Sequence, residues 1–143
     1  MISNEKQYRI SKKRLTDIQL KISETGKNTR HDPLRNKLIL ASLNNQLKQL
    51  QEELAQYESL KKKKLPVKER PLAELPQLIT EYKIANGFTQ KQLSLKLGMK
   101  EQQLQRYEAN RFKGISFDNL LQLISAMDVN LVVKPAIRQK QPH

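Results

Sequence analysis

The chain contains no cysteine, which excludes disulfides, thiol catalysis and cysteine-based zinc sites. Tryptophan is absent and aromatic residues make up 5% of the sequence, too little for the stacking platforms that hold single-stranded nucleic acid. Histidine is nearly absent as well. His31 reads as a turn residue beside Asp32, and His143 is terminal; neither sits among carboxylates at ligand spacing, so no metal cluster can be assembled. No glycine-rich phosphate loop or nucleophile motif occurs, and catalysis needs such a constellation, so neither an enzyme nor a cofactor is expected. No apolar run is long enough to cross a membrane as a helix, and residues 1–10 (MISNEKQYRI) lack the apolar core of a secretion signal. The expectation is a soluble cytoplasmic protein with no membrane partner.

Acidic residues are also scarce. Against 14 Asp and Glu stand 27 Lys and Arg, for a formal net charge of +13, which favours a polyanionic partner without separating DNA, RNA and membrane. The charge is unevenly placed. Residues 61–70 (KKKKLPVKER) carry six bases and one acid, whereas residues 73–130 carry seven bases and six acids. If that second region binds DNA, its affinity must come from a few aimed phosphate contacts, from dimerisation and from basic flanks.

The most informative stretch is residues 88–110, FTQKQLSLKLGMKEQQLQRYEAN. Thr89 followed by Gln92 offers a capping box, with Phe88 and Leu93 as its hydrophobic staple. Leu93, Leu95 and Leu97 then run into Gly98, suited to the positive φ that stops a helix. A second short helix follows, with Leu104 and Tyr107 as its clear buried positions. The rest of its surface is Glu101, Gln102, Gln103, Gln105 and Arg106, groups that match the donors and acceptors of DNA base edges. A polar solvent-facing helix is the competing reading.

Around that stretch the chain divides into four parts. Residues 1–60 read as a helical hairpin. Ser11 can cap a first helix that carries Leu15, Ile18 and Ile22 and is ended by Gly26. Asp32-Pro33 opens a second helix. Its seam of Leu40, Leu43, Leu47, Leu50, Leu54 and Tyr57 has coiled-coil spacing, and over residues 33–62 it would run about 45 Å. The shorter first helix covers part of the seam, leaving the remainder for a second copy or another protein. Residues 61–71 form a basic linker broken by Pro66 and Pro71, either a solvated spacer or a strap on a DNA backbone. Residues 72–134 form the DNA-binding domain. Its first helix carries Leu75, Leu78, Ile79 and Tyr82 and ends at Asn86-Gly87. Ser116 caps its last helix, which carries Leu120, Leu121, Ile124 and Met127, and the short β-branched run at 129–133 reads as a strand stopped by Pro135. Residues 135–143 read as a flexible tail. The fold class expected is all-α with one short C-terminal strand.

Thr89-Gln90, Leu93, Gly98, Leu104 and Glu108, with Leu120-Leu121 and Ile124 further on, resemble the Cro/cI-type (XRE) helix-turn-helix domain of phage repressors and bacterial regulators. The wording MKEQQLQRYEA and the β-like end resemble most the HigA or HipB kind of antitoxin. The resemblance implies a four- or five-helix bundle that binds double-stranded DNA as a homodimer in the bacterial cytoplasm, at the nucleoid when bound. It also implies a toxin partner, and pairing of the C-terminal strand with its copy in the dimer.

By the same resemblance Gln90 meets a phosphate at a helix start, where unsatisfied N–H groups and the helix dipole favour anions. Arg111 and Lys113 grip the backbone. Glu101, Gln102, Gln103 and Arg106 read bases, with Gln102 foremost, while Gln105 can lie against the backbone instead. Lys83 and Glu108 form a bracing ion pair. Lys100 stands where relatives place a capping Ser or Thr, so this helix start is poorly capped and Lys100 is free to reach a phosphate. Together these readings describe an autoregulatory repressor on an inverted-repeat operator, in its fullest form an antitoxin. The alternatives are a stand-alone XRE regulator, or a helical adaptor that binds proteins through the hairpin and leaves its helix-turn-helix unused.

Overall fold

The structure, a computed structural model, describes residues 1–28, 32–63, 65 and 69–138. The turn at His31, residues 64 and 66–68 of the basic linker, and the tail from 139 onward lie outside the described residues. Among those described, six α-helices and one 3-10 turn occur in the order α1 (Glu5–Lys27), α2 (Pro33–Lys61), the turn at Leu72–Glu74, α3 (Leu75–Ala85), α4 (Gln90–Leu97), α5 (Glu101–Ala109) and α6 (Phe117–Ala126). The chain divides into two compact units, Met1–Pro66 with Thr80–Thr89, and Val67–Ile79 with Gln90–His143.

The first unit is an antiparallel hairpin of α1 and α2. Its α1 is longer than the sequence pattern predicts, because Asn4 rather than Ser11 caps it: the Asn4 side chain accepts from the Gln7 N–H at 2.9 Å. Gln7 Oε1 reaches back to the Ser3 N–H at 2.8 Å, a reciprocal arrangement close to a capping box. Ser11 then falls inside the helix, and Gly26 lies in its last turn rather than after it. At the other corner Asp32 caps α2 as expected, accepting from the Leu34 N–H at 3.1 Å, with Pro33 in the first turn.

The longer α1 changes what the α2 seam does. Leu50, Leu54 and Tyr57 are buried together with Ile2, Ile18, Leu60 and Ile84, and Leu43 and Leu47 pack against that core. Leu40 is half-buried. Over much of its length the seam is therefore met within the chain by α1, of 23 residues against the 29 of α2. Ile84 belongs to the same core, so the second half of α3 is counted with the hairpin. At the open end Tyr8 and Tyr57 stack with centroids 4.8 Å apart. Tyr8 Oη donates to Glu58 at 2.6 Å and Tyr57 Oη to Glu5 at 3.2 Å.

The second unit packs α4 against both α5 and α6. Leu93 of α4 and Leu123 of α6 are its most completely enclosed side chains, joined by Leu104, Phe112 and Met127. Ser116 caps α6 as expected, accepting from the Asn119 N–H at 3.1 Å. Lys96 donates to the Ala126 carbonyl at 3.1 Å, a cation at the negative end of that helix. The strand expected at 129–133 is absent: the described residues contain no strand, and this segment is irregular. A β-strand is stabilised by a neighbour that takes its N–H and C=O groups, and one copy of the chain offers none here. Val132 and Val133 are left in solvent.

Candidate nucleic-acid interface

Two glycine-terminated helix ends set up the motif. At the end of α3 the Phe88 N–H bonds to Lys83 O at 3.0 Å and the Gly87 N–H to Ile84 O at 3.1 Å, with Gly87 at φ +71°. After α4 the pattern repeats: Met99 N–H to Ser94 O at 3.0 Å, Gly98 N–H to Leu95 O at 3.3 Å, and Gly98 at φ +65°. Both are Schellman closures, which satisfy the last carbonyls and turn the chain sharply. The second of them delivers the start of α5.

Burial fixes how α5 is turned. Leu104 is buried at 2% exposure, whereas Gln102, Gln103, Gln105 and Arg106 are all exposed. With about 100° between successive residues, Gln102 and Arg106 point almost directly away from Leu104, and Gln103 and Gln105 flank them. These four make one outward polar face. Glu101 is exposed but sits about 60° from the Leu104 direction, at the edge of the buried side. That places it less well for reading bases than its neighbours, and well for the helix dipole of the first turn. Lys100 occupies the N-cap without a side-chain capping bond and is exposed.

The position of Gln90 differs from a free phosphate ligand. Its Nε2 donates to Glu108 Oε2 at 2.7 Å, tying the start of α4 to the last turn of α5. One amide hydrogen of Gln90 is thus engaged inside the unit. Glu108, the acid of the expected ion pair, accepts this bond from Gln90, and Lys83 is a buried residue of α3. The signal that could have found this bond is spacing on the motif itself, since an amide and a carboxylate flank the two helices at matching ends.

Arg111 and Lys113 are exposed on either side of Phe112, which is buried at 9% exposure. The loop is built from unusual backbone. Arg111 and Phe112 both take left-handed conformations, at φ +56° and +60°, followed by Gly114 at +79°. The Phe112 N–H closes onto Tyr107 O at 2.6 Å and the Arg111 N–H onto Glu108 O at 3.1 Å, the same closure as at Gly87 and Gly98 but with arginine where glycine stood. Phe112 anchors the loop, and the two cations are held outward by it. Sequence reasoning missed Phe112; its one signal was an aromatic residue isolated between two bases.

Residues 79–133 match the helix-turn-helix family model (HTH_3). This stretch is an XRE-type helix-turn-helix domain. No curated protein and no solved structure matches the chain. The helix-turn-helix domain contains every residue of the α5 outward face and the whole Arg111–Lys113 loop. Its match spans less than half of the 143 residues and leaves the hairpin outside it. Among the described residues no group of histidines, cysteines and carboxylates is arranged to hold a metal, and no helix is long and apolar enough to cross a membrane.

Proposed function

We propose that the protein is a dimeric, sequence-specific DNA-binding repressor that acts on its own promoter. The observation that carries this reading is the orientation of α5 within a helix-turn-helix domain: Leu104 is pinned inside, and Gln102 and Arg106 face outward together. Glutamine presents a donor and an acceptor to adenine N6 and N7, and arginine forks onto guanine O6 and N7. Gln103 and Glu101 border that face, while Lys100, Arg111, Lys113 and the N-terminus of α4 at Gln90 supply phosphate contacts. Lys83 and Glu108 brace the fold.

Dimerisation is assigned to the C-terminal side. Phe117 and Leu121 lie one helical turn apart on α6 and are exposed, as are Val132, Val133 and Ile137. The hairpin seam, by contrast, is already covered by its own α1. Two recognition helices about 34 Å apart would read an inverted repeat. The narrower antitoxin reading is supported by Leu34 and Leu38, exposed at successive turns of α2, which offer an apolar surface to a toxin.

Footprinting on the DNA upstream of the gene, with wild type against Gln102→Ala plus Arg106→Ala, tests the central claim. A protected inverted repeat lost in the double variant is expected. Weak, uniform, salt-sensitive protection that the variant retains would refute sequence-specific repression and favour the adaptor reading. Leu34→Lys plus Leu38→Lys should leave the footprint intact and abolish copurification of the neighbouring gene's product, if that product is a toxin bound here.

A further inference from the structure

The hairpin carries a charged face that the helix-turn-helix does not use. Residues 6–16 of α1 hold five bases and no acid. Lys6, Arg9 and Lys13 fall at i, i+3 and i+7, a single stripe opposite the buried Ile18 side, with Lys12 and Arg14 flanking it. All five are exposed. Along α2, by contrast, four bases are matched by three acids.

Three observations separate this stripe from an ordinary solvated surface. First, Lys6, Arg9, Lys13 and Arg14 make no ion pair or hydrogen bond through their side chains among the described residues. Second, two of the nearby carboxylates are shared with tyrosines: Glu5, one turn before Arg9, accepts from Tyr57, and Glu58 accepts from Tyr8, while Asp17, one turn after Lys13, is the one acid on this face. Third, Lys6 lies in the first turn of α1, at the positive end of its dipole, where local helix stability favours acids. A stripe in which five bases outnumber the acids on its own face is matched by an external polyanion.

We propose that the outer face of α1 is a second, sequence-independent contact for the phosphate backbone of double-stranded DNA. The inference rests on the DNA-binding reading above and deepens it. Residues 73–130 have almost balanced charge, so the domain that selects sequence contributes little general attraction. The stripe, about 10 Å long from Lys6 to Lys13, supplies that attraction from the hairpin, and counterion release makes it salt-dependent.

The test compares the full-length wild type with Lys6→Gln, Arg9→Gln, Lys13→Gln together, and with the charge-keeping swap Lys6→Arg, Arg9→Lys, Lys13→Arg. Anisotropy is read on the footprinted duplex and on a scrambled duplex of equal length, at several salt concentrations, with circular dichroism to confirm the helices. Affinity of the glutamine variant should fall equally on both duplexes. Its log–log salt slope should be shallower by about 2–3 per bound protomer, for three contacts at about 0.9 each, and the swap should restore both. An unchanged slope and affinity in the folded glutamine variant would overturn the proposal, as would failure of the swap to restore them. An unchanged DNA slope with loss of binding to phosphatidylserine vesicles would overturn it in favour of a membrane. If wild type shows no preference between duplexes, the helix-turn-helix reading fails, while the slope on the scrambled duplex still decides the stripe.

Discussion

Replacing Arg111 with glycine should make the protein more stable and its DNA complex weaker. Arg111 follows the end of α5 at φ +56°, in the position that Gly87 and Gly98 fill after α3 and α4. For an L-residue the left-handed region costs about 1–2 kcal/mol. Glycine avoids that cost but loses about 0.5–1 kcal/mol of extra backbone entropy on folding. The difference leaves a gain of about 0.5–1 kcal/mol. Nothing in the side chain offsets it, because the guanidinium is exposed and makes no ion pair or hydrogen bond among the described residues. Urea denaturation should show a higher midpoint with an unchanged slope. On DNA the same variant should bind more weakly on every sequence, with a salt slope smaller by about 1 per bound protomer. Arg111→Lys, which keeps charge and strain, should leave both properties near wild type. A glycine variant that is less stable would refute the strain argument, and one that binds DNA with an unchanged salt slope would remove Arg111 from the interface.

Two further predictions concern stability. Burial, with Glu5 beside it, pushes the Tyr57 phenol from its usual 10.0 up to about 12, so its contribution is complete below pH 10 and is lost as pH rises through 12. Tyr57→Phe should therefore flatten the loss of stability across that alkaline window, while costing about 0.5–1.5 kcal/mol at neutral pH for the hydrogen bond to Glu5; denaturation at a series of pH values checks both. Lys100→Ser should supply the missing cap of α5 and stabilise the second unit by about 0.5–1 kcal/mol in the same denaturation assay.

Features governed by neighbouring residues were legible in the sequence. Gly98 stops a helix because its φ is positive, and Asp32 and Ser116 cap because their oxygens reach N–H groups two or three residues on. The α5 face was legible for a related reason: one buried leucine and a 3.6-residue period suffice to orient Gln102 and Arg106. What the sequence concealed depends on choices between distant partners. Asn4 and Ser11 were both able to start α1, and the reach of Ile2 into the core belongs to the longer helix. The α2 seam had the spacing of a coiled coil whether its partner was α1 or another chain. The run at 129–133 has β-branched chemistry, but a strand is a property of two segments.

The uneven charge then has a mechanical consequence. On the proposed reading, a helix-turn-helix domain with balanced charge holds non-specific DNA weakly, so discrimination between sites would rest on the α5 face rather than on a broad field. General attraction placed on a separate element can be strengthened or weakened without altering which bases are read. Neutralising α1 should lower affinity on all sequences and leave their ratio intact, whereas altering Gln102 and Arg106 should lower the ratio and leave the salt slope largely intact. The two sets of substitutions lie on different helices with no shared partner, so their effects on binding free energy should add. Strong non-additivity would mean that the α1 stripe and the reading face depend on one another, and the division between affinity and specificity would fail.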